Sequence, residues 1–165
     1  MKLIHKVDIN GKIIKSVKLW LKANPGGLYF DSEFERQAHL LLQKSGLSFV
    51  RNMESIPLQS SFQCQALSKS KSPKIFTSTV RPISYTPDYK VFCKNGDTVY
   101  LETKGFFRED ARLRYKLFLY KLYTDPAYKK TFSFILFSLT DVRYIIKHLV
   151  ENRNTEIKTH KKIIL

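Results

Sequence analysis

Residues 85–105 read YTPDYKVFCKNGDTVYLETKG, the pattern of two strands joined by an Asn-Gly turn at 95–96. Asn-Gly favours a tight hairpin turn because its central positions tolerate positive φ angles. Side chains alternate between the faces of a strand, so Glu102 and Lys104 share one face. The hairpin also carries Asp88 to the same end. We therefore predict a rigid β-hairpin that gathers two carboxylates and one lysine.

Two carboxylates beside a lysine suit metal-assisted cleavage of a phosphodiester bond. Carboxylate oxygens are hard ligands for Mg²⁺, and a cation near the attacking water or the scissile phosphate assists the reaction. The alternative for Glu102 and Lys104 is a surface ion pair without chemistry. Spacing alone leaves both interpretations open.

The composition indicates one folded domain that binds a polyanion. The chain has 165 residues, of which 43% are hydrophobic and 13% aromatic, and these values argue against disorder. It carries 29 Lys and Arg against 14 Asp and Glu, a net charge of +15. This excess favours nucleic acid as the partner, ahead of an acidic membrane surface. The alternative is a basic protein that is merely soluble.

Other classes of protein find little support in the sequence. Cys64 and Cys93 have neither metal-ligand spacing nor a CxxC pattern, so we expect two free thiols in a reducing compartment. No apolar run reaches the roughly 20 residues of a membrane span, and residues 1–12 lack the apolar centre of a signal peptide. No GxxxxGK[ST] loop appears, which argues against a nucleotide cofactor. We expect a cytoplasmic protein without a membrane partner.

Basic segments flank and interrupt the predicted domain, which spans residues 1–165. In residues 1–25, an Asn-Gly pair and six lysines predict a basic hairpin that either protects a sheet edge or touches phosphates. Residues 57–84 lack acidic residues and predict a long loop, with strand character only over 74–83, that is either mobile or tracks a phosphate backbone. The tail, residues 151–165, is basic and then apolar. The candidate DNA-binding cations are Lys69, Lys71, Lys74, Arg81, Arg108, Arg112 and Arg114.

Residues 31–46 have the apolar spacing of an amphipathic helix that ends at Gly46. Ser32 suits the N-cap, and Glu35, three residues later, completes a capping box. The alternative is that Glu35 points toward the hairpin as a third acidic group of the site. His39, one turn further on, is expected at the surface or behind the site rather than as a ligand or base.

The elements after the hairpin complete the predicted fold. We predict a helix over 108–123 with Leu113, Leu117 and Tyr120 on its inward face and Phe118 as a further candidate. A strand over 132–138, buried on both faces, follows. Thr140 then caps a last helix whose inward face carries Val142, Ile145, Ile146 and Leu149 at i, i+3, i+4 and i+7. This order of elements predicts an α/β (α+β) fold in which a central mixed β-sheet is flanked by helices on both faces.

The Pro-Asp pair at 87–88 and the Glu-Thr-Lys triplet at 102–104 together resemble the signature of the PD-(D/E)XK nuclease superfamily. Residues 85–89, YTPDY, and 101–106, LETKGF, are similar to the core of phage endonuclease I-type Holliday junction resolvases and related small phage nucleases. Residues 32–35, SEFE, are similar to the start of the first helix of those enzymes. The resemblance implies a restriction-endonuclease-like fold.

The resemblance also implies roles for individual residues. Asp88 and Glu102 would bind the divalent metal, Mg²⁺ with Mn²⁺ as a substitute, and the Thr103 backbone carbonyl would complete its inner shell. Lys104 would orient or activate the attacking water, or stabilise charge developing on the phosphate. Glu35 would bind a second metal or a metal-bound water.

A Mg²⁺-dependent DNA endonuclease is the activity that the resemblance implies, acting on branched DNA during phage replication or recombination in an infected bacterial host. Two symmetric nicks need two sites at a fixed spacing, so we expect a homodimer. Its interface would involve the N-terminal hairpin, Trp20 or residues 163–165. The alternatives are a site-specific or transposon-end endonuclease of the same fold, and a non-catalytic nucleic-acid-binding protein. The last is disfavoured because carboxylates without a metal repel phosphate.

Overall fold

The structure is a computed structural model that describes residues 5–51, 55–105 and 108–151. Its strands are β1 Val7–Asp8, β2 Tyr29–Phe30, β3 Ser48–Arg51, β4 Ile56–Gln59, β5 Phe62–Leu67, β6 Ile75–Val80, β7 Ile83–Tyr85, β8 Tyr89–Phe92, β9 Thr98–Thr103 and β10 Thr131–Leu136. Its helices are α1 Val17–Ala23, α2 Glu33–Lys44, α3 Glu109–Thr124 and α4 Leu139–Glu151, with a 3-10 turn at Pro126–Tyr128. The mixed α+β class predicted from the sequence is confirmed.

A four-stranded mixed sheet in the order β10-β9-β8-β3 forms the centre of the molecule. β8 runs antiparallel to both β3 and β9, and β10 runs parallel to β9. Parallel neighbours need a crossover, which α3 supplies between β9 and β10. At the predicted turn, the Gly96 N–H donates to the Cys93 carbonyl at 3.1 Å and Gly96 has a φ of 84°. The hairpin that anchors the fold is therefore confirmed.

Each face of β9 enters a different core, as strand alternation requires. Val99 and Leu101 lie in a cluster with α2 and α4, whereas Tyr100 lies in a second cluster with α3. The sheet is thus covered by helices on both faces, in agreement with the prediction. Glu102 follows Tyr100 at two-residue spacing and is buried on the α3 side.

The predicted inward face of α3 is wrong at three positions and correct at Phe118, which is fully buried. Leu113 is 60% exposed and Tyr120 69%, and Leu117 is also exposed. The buried residues of the helix are Tyr115, Phe118, Leu119 and Leu122. Apolar residues occur on every side of this helix, so periodicity could not choose between its faces. The Phe118 ring stacks on Tyr85 at a centroid distance of 4.6 Å, and this tertiary contact selects the inward face.

The predicted long loop at 57–84 is wrong except over 74–83, where β6 confirms the expected strand character, since most of this segment forms strands. β4 pairs antiparallel with β7, with an irregularity between Pro57 and Gln59, and β5 pairs antiparallel with β6 over six rungs. Ser and Lys obscured the strand pattern, but each strand gains a full ladder of backbone hydrogen bonds from its partner. We call residues 62–80, which comprise β5, β6 and their connection, the arm.

Two smaller predictions near the chain ends need correction. Residues 17–23 of the predicted N-terminal hairpin form helix α1, although the turn before them exists, with the Gly11 N–H donating to the Asp8 carbonyl at 2.9 Å. Trp20 on α1 packs against Gly27 and, edge on, against Tyr29. Its indole is therefore occupied by intramolecular packing.

The last strand and helix also differ in detail from the prediction. β10 is an edge strand of the central sheet and is half-buried except at Leu136, rather than buried on both faces. Ser138, not Thr140, caps α4, since its hydroxyl accepts from the Asp141 N–H at 3.2 Å and Asp141 accepts from the Ser138 N–H in return. Of the four predicted inward positions, Val142, Ile145 and Leu149 are buried, and Ile146 is partly buried against the same core.

Cys64 and Cys93 are both free thiols, as predicted. Across residues 5–51, 55–105 and 108–151, none of the helices has both the length and the apolar character that crossing a bilayer demands. Glu151 is the last residue that the structure describes, so the predictions for the rest of the tail at 151–165 lie outside the described residues.

Candidate active site

Asp88 lies where β8 begins, at the open end of the hairpin. Because Tyr89 pairs with Leu101, Asp88 falls opposite the end of β9 beside Glu102. One oxygen of Asp88 accepts hydrogen bonds from the Thr103 N–H at 2.7 Å and the Thr103 hydroxyl at 2.6 Å. These bonds hold the carboxylate against the last residue of β9, so the position of Asp88 is set by the hairpin backbone.

Glu102 is a buried carboxyl, 3% exposed, paired with the Lys104 ammonium on the same face of the strand. The shared face predicted from strand alternation is therefore confirmed. The second oxygen of the Glu102 carboxyl, Oε2, is buried without a hydrogen-bond partner among the described residues. An unpartnered buried carboxyl oxygen is energetically costly, and such atoms call for an explanation.

Burial, reinforced by the nearby Asp88 charge and opposed by Lys104, raises the pKa of Glu102 to about 7. Burial alone would lower the pKa of Lys104, but the Glu102 carboxylate outweighs it and raises that pKa. The site therefore keeps a proton on or near Glu102 at a pH at which an exposed glutamate is ionised.

Tyr85 closes the site on the α3 side. Its ring stacks on Phe118, while its hydroxyl is buried without a hydrogen-bond partner in the described part of the chain. Burial, and then the neighbouring charge of Glu102, raise the pKa of Tyr85, so the phenol stays neutral. The Tyr85 hydroxyl and the Glu102 carboxyl interact in this corner, and each affects the pKa of the other, although no hydrogen bond of good geometry joins Tyr85 Oη or Glu102 Oε2 to a described residue.

Glu35 combines the capping role with a place near the hairpin. Its N–H donates to the Ser32 hydroxyl at 3.1 Å, and its Oε2 accepts from the Asp31 N–H at 2.9 Å, one residue before the N-cap. Burial, opposed by Arg51 and reinforced by the Asp88 charge, raises the pKa of Glu35. The influence of Asp88 shows that Glu35 lies within electrostatic reach of the hairpin carboxylates.

Arg51 was not anticipated from the sequence. Its guanidinium donates two hydrogen bonds to Glu35 Oε1, at 2.6 and 3.2 Å, and lies over the Phe30 ring at 4.4 Å. Tyr89 also contacts Glu35, since its hydroxyl donates a hydrogen bond to the Glu35 backbone carbonyl at 3.0 Å. Arg51 is one of many cations in the chain, and nothing local marks it; pairing of β3 with β8 brings it to the site.

His39 lies behind the site, in agreement with the prediction. Its ring packs among Phe30, Phe49 and Tyr89, and its Nδ1 is buried without a hydrogen-bond partner among the described residues. Burial, and then the charge of Arg51, lower the pKa of His39. A neutral imidazole among aromatic rings acts as packing.

The candidate DNA-binding cations fall into two groups. Lys69, Lys71 and Lys74 are exposed in the connection of the arm, and Arg81 is exposed at its base. Arg108 caps α3, directly after the site strand, and Arg112 is exposed one turn later. Arg114 forms an exposed ion pair with Asp110 at 2.8 Å. Both groups are continuous in sequence with the site, one preceding Asp88 and the other following Lys104.

The carboxylates fit a divalent cation in part. Within residues 5–51, 55–105 and 108–151, no three His, Cys, Asp or Glu side chains are grouped closely enough to hold one. Asp88 and Glu102 nonetheless place two like charges together, and Glu102 Oε2 lacks a partner that a cation would supply. Both oxygens of Glu35 already accept hydrogen bonds, so Glu35 fits an ion less well than Asp88 and Glu102.

The family described as "Protein of unknown function (DUF1064)" matches residues 21–138. Because this match covers more than half of the chain, the protein belongs to that family. The matched segment includes α2, the hairpin, α3 and β10, and therefore every candidate site residue described above. No curated protein and no solved structure matches the chain.

In metal-free buffer, the free energy of unfolding is expected to fall as the pH rises from about 4.5 to about 7. The folded protein raises the Glu102 pKa from 4.5 to about 7. It therefore binds more protons than the unfolded chain in this window, and stability is lost as Glu102 ionises. The loss attributable to Glu102 is about 3 kcal/mol, at about 1.4 kcal/mol for each pKa unit. Urea titrations in EDTA across the window measure it.

Glu102→Gln isolates this contribution, since the glutamine does not titrate while His39 and Glu35 still do. The difference in unfolding free energy between Glu102→Gln and wild type is expected to grow in favour of the variant as the pH rises. Glu109→Gln, an exposed glutamate at the start of α3, serves as the control. A pH-independent difference for Glu102→Gln would contradict the raised pKa.

Proposed function

We propose that this protein is a metal-dependent DNA endonuclease of the PD-(D/E)XK type. The observation that carries the proposal is the arrangement of Asp88, Glu102 and Lys104 at the open end of one hairpin. Glu102 is buried beside a second carboxylate with one oxygen unpartnered. A purely structural ion pair needs neither the second carboxylate nor the unpartnered oxygen.

The topology gives further support. A helix, a strand, the hairpin, a crossover helix and a parallel strand follow one another around one mixed sheet. This order supports the restriction-endonuclease-like fold that the resemblance implied, with Glu35 on α2 and the Glu-x-Lys pattern at the end of β9. The net charge of +15 supplies the attraction that a polyanionic substrate requires.

In this proposal each residue has a distinct role. Asp88 and Glu102, with the Thr103 carbonyl, hold Mg²⁺ or Mn²⁺, which supplies Lewis acidity and a water of lowered pKa when it is bound. Lys104 positions the attacking water or stabilises charge developing on the phosphate. Glu35, held by Arg51, orients a water at the edge of the site.

The substrate that we propose is branched DNA, as in Holliday junction resolution, and the active species is a homodimer that makes paired nicks. The lysines of the arm, and Arg108 and Arg112 near the start of α3, lie next to the site in sequence and provide the phosphate contacts. The chain then acts in DNA replication or recombination, the setting that the likeness to phage junction resolvases suggests.

The test is cleavage of end-labelled DNA in Mg²⁺ with three substrates: a four-way junction, a linear duplex and a single strand. We expect nicking of the junction at symmetric positions and much slower cleavage of the other two. Equal cleavage of all three removes the junction claim and favours a nuclease with another target. Binding without cleavage of any substrate, in Mg²⁺ or Mn²⁺, favours the non-catalytic alternative.

A further inference from the structure

The arm, residues 62–80, extends from the body of the protein as a two-stranded ribbon. Its strands pair from Phe62 opposite Val80 to Leu67 opposite Ile75. They pack almost entirely on each other, and the other described elements add at most a few contacts. The five intervals between six paired residues, at about 3.4 Å each, give the ribbon a length of roughly 17 Å. This is long enough to reach across a groove of duplex DNA, and the major groove admits a two-stranded ribbon.

The connection at the end of the arm is closed and positively charged. The Ser68 N–H donates to the Lys74 carbonyl at 2.9 Å, and the Lys74 N–H donates to the Ser68 hydroxyl at 2.9 Å. Three exposed lysines, Lys69, Lys71 and Lys74, lie within this closed connection. From residue 55 to residue 87 the chain has four cations and no acidic residue. The end of the arm is therefore complementary in charge to a polyanion.

An apolar pair lies immediately before this charged end. Leu67 and Ile75 face each other on the last rung, 63% and 74% exposed. No described residue covers them, although burying such side chains is favourable. A partner that meets both the lysines and this pair must present phosphates and an apolar surface within a few ångströms. Nucleic acid with an exposed base face has that combination.

We propose that the arm distinguishes branched from linear DNA, with its lysines on the phosphates and Leu67 and Ile75 packed on a base face exposed at the branch point. In an intact duplex each base face is covered by its neighbour, so an apolar wedge must first unstack a base step. At a branch point a base step opens at a lower cost than within a continuous duplex, so the arm can unstack it and form the same contact there. The inference rests on the proposed function for its substrate.

The arm is coupled to the site through its base. β7 follows the arm directly, pairs with β4, and ends at Tyr85, three residues before Asp88. β4 and β7 both pack on α3, so the base of the arm is part of the folded body. A branch point held by the arm is thereby placed at a defined distance from the hairpin carboxylates.

The experiment measures binding to a four-way junction and a matched linear duplex, with Ca²⁺ in place of Mg²⁺ so that the DNA is not cut. The junction carries 2-aminopurine at the branch point, whose fluorescence rises when it unstacks from its neighbours. Leu67→Thr/Ile75→Thr keeps strand propensity but removes the apolar surface. It is expected to weaken junction binding about ten-fold, to leave duplex binding within about two-fold, and to abolish the fluorescence rise.

Two further variants separate charge from apolar contact. Lys69→Ala/Lys71→Ala/Lys74→Ala is expected to weaken binding to the junction and to the duplex by the same factor. It is also expected to reduce the slope of log K against log salt by roughly 2 to 3. Tyr144→Thr removes an equally exposed apolar side chain from α4, which packs on the opposite face of the sheet from α3, and is expected to change neither binding constant. Thermal unfolding verifies that every variant is folded.

Each outcome decides the inference separately from the proposed function. If wild type does not prefer the junction, or if Leu67→Thr/Ile75→Thr keeps both the preference and the fluorescence rise, the inference is overturned even where Mg²⁺-dependent cleavage is observed. If junction preference depends on Leu67 and Ile75 but no DNA is cut in Mg²⁺ or Mn²⁺, the arm keeps its role and the nuclease proposal fails.

Discussion

Asp88→Asn and Lys104→Ala are each expected to reduce Mg²⁺-dependent DNA cleavage by about 10³-fold or more. Asp88→Asn removes the charge that, with Glu102, attracts the metal, and Lys104→Ala leaves the buried Glu102 without its cation. The initial rate of nicking of a labelled four-way junction, with protein in excess, measures the chemical step. DNA binding in Ca²⁺ is expected to change far less than the rate, because both side chains act on the reacting phosphate.

Matched controls come from the same hairpin. Asp97→Asn changes a buried aspartate in the turn, where it accepts a hydrogen bond from the Asn95 amide at 2.8 Å, at the opposite end from the site. Lys90→Ala removes a lysine from the neighbouring strand β8. Both variants should cut DNA at close to the wild-type rate. Wild-type cleavage by Asp88→Asn or Lys104→Ala would show that the assigned site is wrong.

Arg51→Ala is expected to destabilise the protein by about 3 kcal/mol near neutral pH. The substitution leaves Glu35 buried, without its two guanidinium hydrogen bonds and within reach of the Asp88 charge. Breaking one partner of a buried pair costs more than the pair contributes, because the remaining charge keeps its desolvation penalty. Urea unfolding followed by circular dichroism provides the measurement.

A double-mutant cycle identifies the cause of that loss. Glu35→Gln/Arg51→Ala is expected to recover part of the stability lost in Arg51→Ala, since no unpaired buried charge remains. Lys147→Ala, which removes an exposed pair with Glu151 at 3.8 Å, should change stability little. If Arg51→Ala and Lys147→Ala had equal effects, Arg51 would not be the electrostatic support of Glu35.

Features encoded over short stretches of the chain were predictable. The hairpin at 85–105 depends on alternation and on a glycine that takes a φ of 84° at position 96. The shared face of Glu102 and Lys104 follows from the two-residue period of a strand. Helix α2 and its Ser32 cap, together with the buried positions of α4, likewise follow from spacing. In each case neighbouring residues carry the information, so no distant contact is needed.

The two largest incorrect predictions, for α3 and for the arm, share one cause, which is competition between local patterns that only distant partners resolve. α3 is apolar on several sides, and stacking of Phe118 on Tyr85, 33 residues earlier in the chain, decides which side is buried. The polar composition of residues 62–80 predicts a loop, yet β5 and β6 satisfy each other's backbone groups as a ribbon. In both segments the hydrophobic periodicity was too weak to predict which tertiary contacts form.

The local sequence thus determined the hairpin, the positions of Asp88, Glu102 and Lys104 along it, and the charge that attracts a polyanion. Only the tertiary structure decided the environment of these groups. Sheet pairing brings Arg51 to Glu35, and packing of α3 buries Glu102 against Tyr85, raising its pKa to about 7. The reason is physical: which residues share a strand face is set by backbone geometry, whereas desolvation and charge coupling depend on atoms contributed by distant parts of the chain.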